Sequence, residues 1–390
     1  MKPLLLDPPR VEFDPDLAWL LRTGFESPLP DGVPRNEAAP RDEERTVRLA
    51  RTLQVSGRIG RQLELSRAIP SGRALRRELA TDYRTNVATA SLLMCAQREL
   101  CQLGERLAVP VIPLKFAALH AARICAPGSR QVWDLDVLVP KASARFFWNA
   151  LIDAGYRRTN TSEYEHQLEP LLDANGVVVD LHVHIPGVFV EARHFATADE
   201  LLRRALLIRG PDANYIPNNA ILAAHAIAHG LLQNRSTPQT HSPLRMIADL
   251  MDLRRVEPAV LAFAKPHLAA ALAPTCDTLE RLCATLANGT FVDKSFDGTP
   301  EQILLWHCLA ARLDFEYSER LRAAGLSNKI RDGASLREIA GYLATLLYPG
   351  EAELEVLYGP AIGSAARMRR RFRRPLDLAR RATRRWARRR

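Results

Sequence analysis

Val132-Trp133-Asp134-Leu135-Asp136-Val137-Leu138-Val139 runs directly into Pro140. Its apolar, β-branched make-up is that of a buried strand, and the proline ends it. Side chains alternate across a strand, so Asp134 and Asp136 share one face while Leu135, Val137 and Val139 share the other. Two neighbouring carboxylates on an otherwise apolar strand repel each other and lose hydration. A bound divalent cation resolves both problems. The structural alternative is an edge strand whose acids face water.

A second apolar run, Val177-Val178-Val179-Asp180-Leu181-His182-Val183-His184-Ile185, carries a lone acid. Should it pair near the first strand, Asp134, Asp136 and Asp180 converge as ligands for one or two cations. Mg²⁺ suits such oxygen ligands, and Mn²⁺ is the alternative. His182 and His184 fall on the Asp180 face. His182 is a candidate catalytic or positioning group and His184 a candidate pocket residue. Asp173-Ala174-Asn175-Gly176 reads as the turn leading into this strand.

The surrounding sequence frames a small mixed α/β core. Residues 109–114 read as a short strand, 115–125 as a helix and 143–155 as another helix closed by Gly155. Lys115 is one of six lysines against 48 arginines. It stands between a strand and a helix, where phosphates often bind, and the alternative is a plain surface lysine. Gly128, Ser129 and Arg130 precede the acidic strand and are candidate nucleotide-phosphate contacts; the alternative is a tight turn with an exposed arginine.

The expected organisation has five parts. Residues 1–40, rich in proline and acid, read as a loose arm with one helical turn near 17–21. Residues 41–108 read as a helical cap or platform, with helices over 43–62, 67–80 and 86–106. Residues 109–196 form the α/β core, and 197–366 a large all-helical region. Helices there are expected at 198–206, 218–233, 243–254, 256–272, 276–287, 301–312, 315–323, 336–347 and 359–370. Residues 367–390 form an Arg-rich tail.

Charge narrows the partners. The net charge is +10, yet residues 367–390 hold 13 arginines and one acid, so the rest of the chain is close to neutral. A nucleic-acid footprint over the whole protein is not implied. The tail can solubilise the chain, lie on an anionic membrane surface, or contact nucleic acid or an acidic protein. The six scattered cysteines include no CxxC pair and read as reduced thiols of a cytoplasmic, at most membrane-peripheral, protein. The N-terminal apolar run, 4–6, is too short for a signal peptide, and 221–232 is too short to span a bilayer.

Two further clusters sit in the helical region. His225 and His229 share a helix face, but Ala-Ile-Ala lies between them, so the HExxH zinc motif is absent. They read as structural residues or as part of a substrate pocket. Arg245 and Asp249, also four apart, read as an ion pair or as lining of the same pocket. No GxxxxGK[ST] loop and no HRD/DFG set is present, which ranks a kinase lower.

The segment 110–254 resembles the poorly characterised nucleotidyltransferases of the polymerase-β-like superfamily. The resemblance rests on Leu114-Lys115, on Arg130 before Asp134-Leu135-Asp136-Val137-Leu138-Val139, on Asp180-Leu181-His182, and on HAIAHG at 225–230 followed by LRMIADL at 244–250. It implies a nucleotidyltransferase-like sheet and Mg²⁺-dependent transfer of NMP from an NTP to a small molecule, peptide or protein. Asp134, Asp136 and Asp180 would hold the metal, with Lys115 and Arg130 at the family's basic positions. The family's glycine after the lysine is Phe116 here, a bulky residue where backbone would approach phosphate. That departure keeps an inactive, scaffold-type protein as an alternative. The arginine tail keeps a nucleic-acid binder or nucleic-acid enzyme as another.

Overall fold

Asp14 and Pro15 start the first helix. The Asp14 carboxylate accepts from the amides of Asp16 and Leu17, and Pro15 occupies a first-turn position whose N–H needs no helical partner. The computed structural model describes residues 8–26, 39–159, 166–191, 194–210, 213, 215–233, 241–270, 272–291, 298–321 and 368–369. Helix α1 (Pro15–Phe25) buries Leu17, Trp19, Leu20, Leu21 and Phe25. The expectation of a loose arm is therefore corrected over this stretch: the proline and the acid are helix-start signals. α2 (Glu43–Thr52), α3 (Ser56–Leu65) and α4 (Arg73–Arg106) follow. α4 is one helix of 34 residues where two were expected. No glycine or proline interrupts 80–86, so nothing there breaks the helix.

The α/β core follows as β1 (Ile112–Pro113), α5 (Lys115–Ala121), β2 (Asp134–Leu138), α6 (Lys141–Asp153), β3 (Arg157–Arg158), β4 (Leu171–Leu172) and β5 (Val178–His182). The sheet order is β1-β2-β5-β4-β3. β2 and β5 run parallel, with Asp136 the register partner of Asp180 and Leu138 that of His182. The other three pairings are antiparallel. A parallel neighbour needs a crossover, and α6 lies within it. The turn before β5 is the expected one: Asp173 Oδ1 accepts from the amides of Asn175 and Val177, at 2.8 and 2.7 Å, and Gly176 takes a positive φ.

Next come β6 (Ile185–Glu191), β7 (His194–Ala196), α7 (Ala198–Arg203), β8 (Leu207–Ile208) and β9 (Ile216–Pro217). The two hairpins β6–β7 and β8–β9 add small sheets that the sequence reading did not contain. α8 (Asn219–Ala228) starts on an Asn218 cap and widens into a π turn over His229–Gln233. α9 (Leu244–Val256), α10 (Val260–Ala264), α11 (Thr275–Ala287) and α12 (Pro300–Leu313) complete the helical region. The single helix expected over 256–272 is instead α10 plus a short 3₁₀ turn, Lys265–His267, with Pro258 and Pro266 interrupting the pattern. Helices expected at 336–347 and 359–370, and the arginine tail, lie outside the described residues apart from 368–369.

One hydrophobic cluster takes in α1, the sheet and α12, so the expected cap, core and helical region share a core. No described helix is long and apolar enough to cross a membrane. α3 approaches the backbone of α4 closely at Gly60. A Cβ on Gly60 would lie 2.1 Å from the carbonyl oxygen of Leu79, which a helix backbone cannot easily withdraw. Gly60→Ala should therefore destabilise the protein by about 1–3 kcal/mol, read as a lower urea midpoint at unchanged slope. An unchanged midpoint would contradict this packing.

Candidate active site

Parallel register brings the acids together. Asp134 and Asp136 lie two residues apart on β2, and Asp180 and His182 occupy the matching face of β5. Asp136 is 3% exposed. Its Oδ1 accepts from Lys115 Nζ at 2.7 Å and from His182 Nε2 at 2.8 Å. Asp136, Asp180 and His182 each offer a ligand atom, all within 4.8 Å of one another. This triad differs from the expected trio. His182 joins it, while Asp134 stands toward the start of the strand, within electrostatic reach of Asp136, Lys115, Arg245 and Arg130.

Environment separates the carboxylates. Burial would raise Asp136, but Lys115 and His182 hold its carboxyl well below the usual range. Burial and the Asp136 charge push Asp134 up. Burial, Asp136 and Asp134 push Asp180 up to about 7. Burial opposes the charge on Lys115, yet the three acids outweigh it and raise its pKa. Asp180 Oδ1 is buried and has no hydrogen-bond partner, and neither has His182 Nδ1. A carboxylate oxygen left without a donor among other carboxylates is the environment a divalent cation fits.

Beside the acids, Lys115 also lines a cleft closed by α8 and α9. Arg130, His225, His229, His241, Arg245 and Asp249 face it. Burial keeps the histidines neutral, pushing His225 and His241 down to about 3. Burial and nearby Arg130 lower Arg245 to about 9, so it remains a cation at neutral pH. Its guanidinium lies 5.4 Å from the ring centroid of Trp133, which is half exposed at the entrance to β2. Asp249 meets Arg130 at 3.3 Å, and Arg245 donates to Gln54 Oε1 at 3.3 Å. The expected pair of Arg245 with Asp249 is thus replaced by a pair between the β2 approach and α9.

His225, His229, Arg245 and Asp249 line one cleft, as one of the sequence readings had it. His184 does not line it. The chain bends after β5, and the His184 ring stacks on Phe195 at 4.5 Å. Gly128 and Ser129 do not line the cleft either, and Ser129 lines a separate cleft beside Arg58 and Arg123. The Gly128 carbonyl accepts from Asn86 of α4 at 3.3 Å, and a Cβ on Gly128 would lie 2.4 Å from Val87, so this glycine serves close packing. Ser129 donates to the Ala126 carbonyl at 2.8 Å. Phe116 is buried, its ring 5.9 Å from His120, and is not part of the cleft lining. Three site residues escaped the sequence reading. Gln167 hydrogen-bonds Asp180, His166 stacks on His182 at 5.7 Å, and His241 enters the cleft from a loop. None sits in a periodic or motif-like pattern.

Fold and site together define a mixed α/β protein with an acidic, cation-fitting centre opening on a basic cleft. A family model described as an uncharacterised nucleotidyltransferase matches residues 39–288, more than half of the chain. The chain belongs to that family. No curated protein matches it.

The raised Asp180 pKa has a consequence for stability. Its carboxyl holds a proton in the folded state between 3.8 and about 7, where the unfolded carboxyl has lost it. Its contribution is therefore complete below 3.8 and is lost as pH rises through about 7. In chelator, Asp180→Asn should gain stability relative to the parent as pH rises across that window. Thermal unfolding of both proteins at several pH values checks this, and a constant difference would contradict the assignment.

Proposed function

We propose that this protein transfers a nucleoside monophosphate from an NTP to an acceptor that is a small molecule, a peptide or a protein. One observation carries the reading: Asp136 and Asp180 are partners across parallel strands, with Lys115 Nζ 2.7 Å from Asp136 Oδ1 at the edge of a basic cleft. Asp134, Asp136 and Asp180 would hold Mg²⁺ or Mn²⁺, with His182 beside them. Bound there, the cation neutralises triphosphate charge and steadies the leaving pyrophosphate.

The chain's own groups do the rest. Lys115, Arg130 and Arg245 bind phosphate oxygens in the cleft. Asp180 Oδ1 faces the cation, and the other oxygen of the same carboxylate accepts the acceptor's proton. The acceptor oxygen forms a bond to the α-phosphorus, the bond from that phosphorus to the bridging oxygen breaks, and pyrophosphate leaves. His182 keeps Asp136 ionised and oriented. His225 and His229 stay uncharged at neutral pH and shape the cleft without competing for phosphate. Burial of Phe116 supports an active protein over a scaffold, because its ring does not crowd the cleft. The six free thiols support the cytoplasmic setting.

Calorimetry of the full chain with each NTP should show binding that depends on Mg²⁺ or Mn²⁺. Asp136→Asn should lower turnover by about a hundredfold or more, as expected for loss of a preorganised charge at the reacting group. The acceptor product should gain the mass of NMP. Absence of NTP binding with either cation, or a mass gain of phosphate alone, would sink this reading.

A further inference from the structure

A second cleft opens between α3, the end of α5 and the last turns of α9, and it shares no lining residue with the Lys115 cleft. Four guanidinium groups line it: Arg58, Arg61, Arg123 and Arg255. Asp252 is the one acid in its wall. That acid is already engaged. Arg58 Nη1 donates to both of its oxygens, at 2.9 and 3.0 Å, and Arg255 also bonds it. Arg58 is tied further, its Nε donating to the Gly24 carbonyl at 2.6 Å. Arg61 and Arg123 have no ion pair among the described residues. Burial and the charges of Arg58 and Arg61 together disfavour the charge on Arg255.

Cations crowded around a concave wall repel one another and are held there at a cost unless an anion joins them. The wall's single carboxylate leaves three positive charges uncompensated. A monocarboxylate would leave most of that charge unmatched. A multiply charged phosphate group matches it, and planar guanidinium forks suit its oxygens. Arg61 and Arg123 are the free forks, while Arg58 and Asp252 form a fixed base beneath them.

We propose that this cleft is a second, phosphate-binding site, taking the phosphoryl or pyrophosphoryl group of a small molecule. It does not depend on the nucleotidyl-transfer reading, because the two clefts share no side chain. A third, smaller cleft joins them: it contains Arg58 and Asp252 from one side and Arg130, Arg245 and Asp249 from the other. Asp249 and Asp252 stand three residues apart on α9, so the ion pairs of both sites hang on one helix face.

Calorimetric titration of the full chain tests this, with inorganic phosphate and pyrophosphate as probes, chelator present and salt low. Citrate serves as the charge-matched control. The parent should bind pyrophosphate. The double variant Arg61→Gln/Arg123→Gln should lose about tenfold or more in affinity for each arginine removed, while Mg²⁺–NTP binding measured separately is unchanged. Arg123→Glu, at an exposed position, should abolish the site without disturbing thermal unfolding. Three results would overturn the proposal. These are pyrophosphate isotherms in which both variants keep the parent's stoichiometry and affinity, citrate binding tighter than pyrophosphate, and loss of oligonucleotide binding in variants whose pyrophosphate isotherm is unchanged. The last would make the cleft a nucleic-acid contact instead.

Discussion

A partly buried ammonium against a buried carboxylate organises this protein. Lys115 and Asp136 meet at 2.7 Å, with the Asp136 side chain almost wholly withdrawn from water. Removing Lys115 would leave Asp136 with His182 alone, and removing Asp136 would leave Lys115 to Asp134 and Asp180, each an imbalance of charge in a largely dehydrated setting. Lys115 also takes a positive φ, uncommon for a residue other than glycine, at the junction of β1 and α5. That backbone conformation is sustained by the surrounding packing, and it occurs at the residue that serves both the acids and the cleft. From this pair the division of labour follows. Asp136 stays ionised because a lysine and a histidine attend it, and burial together with its charge pushes the carboxyl groups of Asp134 and Asp180 upward.

The helical region acts on the same centre through charge. A cleft that takes phosphates, as proposed, needs cations that remain cations after burial. Arg245, lowered to about 9, still meets that requirement, and Asp249 steadies Arg130 from across the cleft. The histidines contribute in the opposite way. Buried and neutral, they line the cavity without adding positive charge. The π turn that begins at His229 widens the end of α8 at the cleft, a deviation often found where helices serve a site.

Strand alternation made much of this centre legible. Asp134 and Asp136 on one face, the lone Asp180 and the Asp173–Gly176 turn all follow from short-range rules, and the parallel register then brings Asp180 beside Asp136. What sequence periodicity could not carry is pairing over long distance. The Arg130–Asp249 contact spans more than a hundred residues, and the local rule for residues four apart favoured Arg245 instead. Gln167 and His166 act from an irregular segment that only the sheet brings to β5. β6–β7 and β8–β9 were hidden because their runs are short and contain Pro186, Gly187 and Pro217, which read as breaks. Gly128 carried a phosphate-loop composition, yet its place is set by the helix packed against it. A glycine at positive φ with α4 side chains within touching distance is committed to packing.

A shared core has a mechanical consequence that separate domains would lack. Arg58 joins three elements at once: its guanidinium binds Asp252 on α9, donates to the Gly24 carbonyl of α1, and projects from α3. α3 lies on α4, whose Asn86 holds the loop just before Arg130. The same α9 presents Asp249 to Arg130 and Arg245 to Trp133. The basic side of the Lys115 cleft is therefore positioned from outside the sheet, by helices far away in sequence, while the acidic side is positioned within it. A displacement of α9 would shift Asp249 and Arg245 together, altering the charge facing the cleft and leaving the carboxylate register untouched. The acidic centre and the basic cleft thus rest on separate structural supports that meet at Lys115.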